Sequence, residues 1–257
     1  MCTRYISPET GDLERHWHVG ARNPTAWARD VYPRYQAPFI RAARDSAAYE
    51  RECVVGQWSL VPWFAKTAKL PYATSNARFE ELTAKASFKQ PWARGQRCII
   101  PAVCFFEPNW ETGKHVPWRF TRADGNLWGL AGLWNTWTDK TTGEVVDSFT
   151  MLTVNADGHP LMGRMHRPDP KRPPQQQDKR SVVPIESADV DTWLAAPVAQ
   201  AAALVRLAPA ELYLASEPER FSGATEQRAR KASGLGAKRS YSGLWRAFAT
   251  TTGRLWA

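Results

Sequence analysis

The densest chemistry in this chain lies at its second residue. Cys2 follows Met1 directly, and methionine aminopeptidases act where the residue after methionine is small, so removal of Met1 is expected. Cys2 would then carry an α-amine and a thiol on one residue. An α-amine has an ordinary pKa near 8, roughly two units below lysine, so an appreciable neutral fraction exists at neutral pH. Such an amine adds to an aldehyde to give an imine, and the thiol can close on the imine carbon to form a thiazolidine ring. The second step is intramolecular and gains a high effective concentration. No internal cysteine or lysine carries that pair of nucleophiles. Cys53, Cys98 and Cys104 sit in apolar, strand-like stretches and read as buried thiols. The four cysteines form no CxxC pair and no zinc spacing with histidine, so neither a metal nor an organic cofactor is expected.

Other residues could move protons around such a centre. Glu107 ends the apolar run Ile99 to Phe106, just before Pro108. A carboxylate there is expected to be part-buried and able to give and take protons. Two histidines, His159 and His166, share the segment ADGHPLMGRMHRP, and either could act near neutral pH. Asn76 lies in a polar loop, where an asparagine on its own reads as a turn cap.

The net charge of +9 and pI near 9.6 favour an acidic partner, with nucleic acid the first candidate. Most of the 13 tryptophans are expected in the core, while a few beside basic residues could stack on unpaired bases. No apolar run approaches the roughly 20 residues needed to span a bilayer. The N-terminus lacks the apolar segment of a secretory signal, so a cytoplasmic protein is expected.

Short strands and few helices must position these groups. Ser7-Pro8-Glu9 predicts a helix start with serine as cap, and Tyr32 to Pro38 reads as an extended loop. Strands are predicted over 53–62, 97–106, 118–121, 127–137, 148–154 and 182–185, with a helix over about 79–93 and another over 187–195. Asp124-Gly125 signals a hairpin, and the Pro- and Gln-rich stretch 169–178 an exposed loop. The predicted fold is α+β: one domain over 1–215, mostly antiparallel strands in a barrel-like core with a few flanking helices. Residues 216–257 form a basic, partly disordered tail on composition.

Several segments together resemble the SRAP family, the SOS-response-associated peptidase-like proteins that process abasic sites. They are Met1-Cys2-Thr3-Arg4-Tyr5, Trp58-Ser59-Leu60-Val61-Pro62-Trp63, Asn76-Ala77-Arg78-Phe79-Glu80, Arg97 to Ala102 leading into Phe105-Phe106-Glu107, Leu130-Ala131-Gly132-Leu133-Trp134, and His166 followed by Arg180-Ser181-Val182-Val183. They cover residues 1–195 in the family's order. The resemblance implies covalent capture of abasic sites in single-stranded DNA, through the Cys2 amine and thiol, by a protein expected to be monomeric. It implies catalytic roles for Cys2, Asn76, Glu107 and His166, the last preferred over His159 because it lies closer to the Arg180 segment. It places Arg4, Arg78 and Arg180 on phosphates, and Pro38 and Trp63 against bases beside the lesion. Thr3 and Ser59 replace common glycines, and Pro108-Asn109-Trp110 follows Glu107 where the family usually has tryptophan directly. The stretch between His166 and Arg180 is longer than in the shortest members. An autoproteolytic cysteine peptidase and a noncovalent single-stranded DNA binding module are the alternative readings.

Overall fold

The computed structural model describes residues 1–20, 25–46 and 48–216. In it the apolar run 97–106 divides at Val103 into two strands that enter different sheets. That division fixes the architecture. In chain order the strands among the described residues are β1 (Arg4–Ile6), β2 (Asp30–Val31), β3 (Gln36–Ala42), β4 (Arg51–Trp58), β5 (Asn76–Arg78), β6 (Arg97–Ala102), β7 (Cys104–Asn109), β8 (Val116–Arg122), β9 (Trp128–Thr138), β10 (Val145–Asn155), β11 (Arg180–Val182) and β12 (Tyr213–Ser216). The helices are α1 (Thr10–Trp17), α2 (Ala86–Ala93), α3 (Val190–Ala195) and α4 (Val198–Ala203).

Strands β4, β3, β6, β9 and β10 form a closed ring. Each neighbouring pair is antiparallel except β10 with β4, which closes the ring in parallel. Closure removes the exposed edges that an open sheet would present. The far end of β10 projects beyond the ring, taking β5 on one side and β11 on the other. The second sheet is antiparallel throughout, in the order β12-β8-β7-β1-β2. The α+β class and the mostly antiparallel barrel are as the sequence predicts.

Alternating residues of the ring strands face two cores. Phe39, Cys98, Ile100, Leu130, Phe149 and Met151 pack with Tyr5 and Phe105 of the second sheet. Their neighbours Ile40, Ile99, Ala131, Leu133 and Leu152 meet Trp17 of α1, Trp92 of α2 and Trp193 of α3. Both faces are therefore buried, which is why these strands read as continuous apolar runs instead of alternating ones. Each fully buried Leu, Ile or Phe contributes about 1.5–3 kcal/mol from its removal from water. Gly132 of β9 permits one close approach inside the ring: a Cβ on it would lie 2.7 Å from the Thr150 carbonyl oxygen and 2.8 Å from the Cys98 sulfur.

Several local expectations are corrected. Helix α1 is capped at Glu9, not Ser7, which is buried with its hydroxyl directed to the Pro8 carbonyl. Pro38 lies inside β3 and not in a loop; β6 pairs with β3 only at Ile40, so one flank of the strand beside Pro38 needs no N–H donor. The helix over 79–93 is a 3-10 turn at Phe79–Glu81 followed by α2. Asp124-Gly125 makes a turn but no hairpin, because β8 and β9 belong to different sheets. The hairpins on either side of it are β7–β8 and β9–β10. The tail, from 217 onward, lies outside the described residues. No helix among the described residues is long and apolar enough to cross a membrane.

Candidate active site

Strand β1 draws the chain terminus into the molecule. It is the inner neighbour of both β2 and β7, with Tyr5 opposite Val31 and Phe105. Cys2, just before β1, is fully buried, and its thiol donates to the Arg4 carbonyl at 3.3 Å. Burial pushes the thiol well above its ordinary range, and the charge of Glu107 adds to the shift. The sulfur is therefore protonated at neutral pH.

Three of the expected side chains converge on this terminus. Asn76 comes from β5, a short strand held on β10, and its amide donates to the Cys2 carbonyl at 2.7 Å. Glu107 comes from β7, opposite Trp118, and is 1% exposed. One of its oxygens lies 2.8 Å from His166 Nε2 and 3.6 Å from the Met1 nitrogen. His166 Nε2 in turn lies 2.5 Å from the Met1 nitrogen. Amine, imidazole and carboxylate are thus within proton-transfer reach of one another. Asn76 Oδ1, Glu107 Oε1 and His166 Nδ1 are buried without a hydrogen-bond partner, so the site holds further polar capacity.

His166 reaches this position because Asn109 at the end of β7 bridges Met165, and the His166 N–H donates to the Pro108 carbonyl at 2.6 Å. Its backbone is left-handed, with φ of 64°. His159 is placed elsewhere. It is buried, with Nδ1 accepting from the Met162 N–H at 2.9 Å and Nε2 2.9 Å from the Ala208 carbonyl oxygen. Among the described residues no cluster of three or more His, Cys, Asp or Glu is arranged to hold a metal.

The expected DNA contacts are dispersed around this centre. Arg4 is half-buried, paired bidentately with Asp30 at 2.8 Å, and lies over the Phe106 ring. Arg78 pairs with Asp178 at 2.9 Å and Glu81 at 3.2 Å. Arg180 is 4% exposed; Glu80 and Asp178 hold its guanidinium, which also donates to the Thr153 carbonyl. It shares Asp178 with Arg78. Pro38 is buried in β3, whereas Trp63 is 61% exposed and meets Phe64 edge-on. A cleft of about 370 Å³ opens beside Met1, lined in part by Tyr72, Asn76, Arg78, Lys85 and Phe88. The pairing of Asp30, Glu80 and Asp178 with these arginines is not legible in the sequence, since acidic residues in polar segments carry no signal of their partners.

The buried thiols give a direct check on this geometry. All four cysteines are free and buried, and only an accessible thiolate is alkylated. Brief iodoacetamide treatment of the native chain at neutral pH is expected to modify none, and treatment in denaturant all four, as counted by intact mass. Rapid native labelling of Cys2 would contradict the burial described here.

Fold and site together define a small α+β barrel whose N-terminal strand carries Cys2 into a polar centre of asparagine, glutamate and histidine. The model of the SOS response associated peptidase (SRAP) family matches residues 1–217, and the chain belongs to that family. A crystal structure of a Bordetella bronchiseptica protein is 34% identical, with a TM-score of 0.75, covering 85% of this chain and all of that one. The abasic site processing protein YoqW of Bacillus subtilis is 34% identical over 111 residues, which are 43% of this chain and 48% of YoqW. The abasic site processing protein HMCES of Xenopus tropicalis is 25% identical over 179 residues, covering 60% of this chain and 53% of HMCES. The chain thus spans about half the length of these curated relatives.

Proposed function

We propose that this chain captures abasic sites in single-stranded DNA by forming a thiazolidine between Cys2 and the sugar, once whatever precedes Cys2 has been removed. The observation that carries the reading is that the Met1 nitrogen rests against His166 and Glu107 while Asn76 holds the Cys2 carbonyl, so that loss of Met1 would free the Cys2 amine next to that pair. Relatives named abasic site processing proteins supply the substrate class.

The chemistry balances with these groups alone. The Cys2 amine adds to the aldehyde carbon of the ring-opened deoxyribose, and Glu107 accepts the proton released. The carbinolamine loses water, with the proton returned to the departing hydroxyl, and leaves the imine. The sulfur then adds to the imine carbon and its proton ends on nitrogen. One water is released overall. His166 protonates the ring oxygen as the sugar opens, the proton lost by the anomeric hydroxyl returns to it through Glu107 at 2.8 Å, and Asn76 fixes the terminus so that amine and thiol address the same carbon. A protonated, buried thiol suits this order, since it is inert until an imine forms beside it.

A chain shown by intact mass to begin at Cys2 is incubated with an oligonucleotide carrying one abasic site. An adduct that survives SDS and heat is expected on a denaturing gel. If no adduct forms while intact single strands bind equally well, covalent capture is wrong and a noncovalent binding module takes its place. Trp63 supplies a separate check of the strand's path. Exposed as it is, Trp63→Ala should alter folding stability by no more than about 0.5 kcal/mol. Loss of a base-stacking platform should weaken single-strand binding by about 1–3 kcal/mol, read by fluorescence anisotropy.

A further inference from the structure

The chain makes an unusual excursion directly after His166. Residues 167–178 leave the site, fold on themselves and return at Lys179, next to Arg180 of β11. Within the excursion, Gln177 acts as a staple: its side-chain oxygen accepts from the Asp169 N–H at 2.7 Å, and its amide donates to the Arg172 and Pro173 carbonyls at 2.9 Å. At the return point Asp157 accepts the backbone N–H groups of Asp178 and Lys179 at 3.1 and 2.8 Å. The Lys179 carbonyl accepts from the Ala156 N–H at 2.7 Å. The two ends of the excursion then meet. The Lys179 ammonium donates to the His166 carbonyl at 2.7 Å.

That bond acts on a residue in a costly conformation. His166 and Asp178, at opposite ends of the excursion, both have left-handed backbones, with φ of 64° and 56°, a region disfavoured for residues with a Cβ. His166 is secured at its N–H by Pro108, at its ring by Glu107 and at its carbonyl by Lys179. Lys179 is only 7% exposed. Its burial lowers the lysine below its ordinary range, opposed by the charge of Asp157. A lysine serving only to fill space here would be less costly as an apolar chain.

We propose that Lys179 is a positioning residue for His166: by clasping the carbonyl it holds the left-handed backbone that aims Nε2 at Glu107 and the terminal amine. The role rests on the abasic-site reading for its kinetic consequence, but the geometry it asserts does not. Lys179→Met keeps length and apolar volume while removing the donor. The adduct rate is expected to fall at least ~10-fold, since small misplacements of a reacting group cost that much or more, while the affinity for an intact oligonucleotide stays within about twofold.

A mutant cycle separates positioning from general support. In a His166→Ala background, Lys179→Met should leave the residual rate unchanged, because there is no longer an imidazole to aim. An equal fall in both backgrounds, or no fall in the wild-type background, would overturn the role. Should Lys179→Met fail to fold, Lys179→Leu, which likewise lacks a donor, carries the same comparison. The His166 ring resonances, assigned by their loss in His166→Ala, give a readout free of the reaction. They should move in the Lys179 variant, and unmoved resonances overturn the proposal even where the wild type forms no adduct. Absence of the wild-type adduct with moved resonances would instead refute the proposed function and leave the positioning role standing.

Discussion

Replacing Cys2 with alanine is expected to abolish the heat- and SDS-stable adduct without abolishing the first chemical step. The variant retains an N-terminal amine at the same place, with Asn76 and Glu107 beside it, so addition to the aldehyde and loss of water still occur. The ring cannot close because the sulfur is gone. The product is an imine that water reverses, and borohydride should trap it as a stable secondary amine. Wild-type adduct, already closed through sulfur, should form with or without the reductant. The comparison uses one oligonucleotide and denaturing gels with and without borohydride. A Cys2→Ala chain that still formed a stable adduct without reductant would show that another nucleophile does the capturing. A chain that yielded nothing with borohydride would show that the amine is not the entry point.

Glu107→Gln carries the next largest effect. The substitution preserves size and can still hydrogen-bond His166, but an amide accepts no proton from the attacking amine. Positioned acid–base groups contribute about 10²–10⁴-fold to such steps, and a single-turnover rate lower by that factor is expected with excess oligonucleotide. Binding of intact single strands should be unchanged, because Glu107 lies beneath the terminus and is buried. A rate within about threefold of wild type would remove Glu107 from the proton-transfer path. The buried carboxylate also raises the Cys2 thiol by its charge. The variant should therefore ionise Cys2 more readily, and the fall in rate cannot be credited to a less reactive sulfur.

The parts of this site that could be read from the chain are those whose chemistry is local. Cys2 declared itself because two nucleophiles on one residue need no partner, whereas Glu107 drew its role from the resemblance, since a carboxylate closing an apolar strand can equally face water. Asn76 could be read only through the resemblance, since its partner, the Cys2 carbonyl, lies 74 residues away in the chain. The choice between His166 and His159 was likewise a tertiary matter. One meets Glu107 and the other caps backbone N–H groups. The class of fold followed from many short strands, but the two-sheet arrangement did not, because nothing in 97–106 announces that Val103 turns the chain from one sheet into another. Lys179 was invisible for a related reason. Its partner is a backbone carbonyl, which every residue possesses and no sequence pattern marks.

The position of β1 bears on the order of events in the chain's own synthesis. Its ladder with β7 pairs Arg4 with Phe106 and Ile6 with Cys104, so the N-terminal segment, which can meet only the short β2 early on, lacks its other neighbour until the chain has reached β7. His166, which meets the terminal nitrogen, emerges later still. Until then the start of the chain is open to processing enzymes. Afterwards Cys2 is enclosed and the residue before it rests on the glutamate–histidine pair. Maturation of the proposed nucleophile is thus a race between trimming and folding. Rapid folding, ordinarily an advantage, would here shorten the time in which the terminus can be trimmed as an open chain.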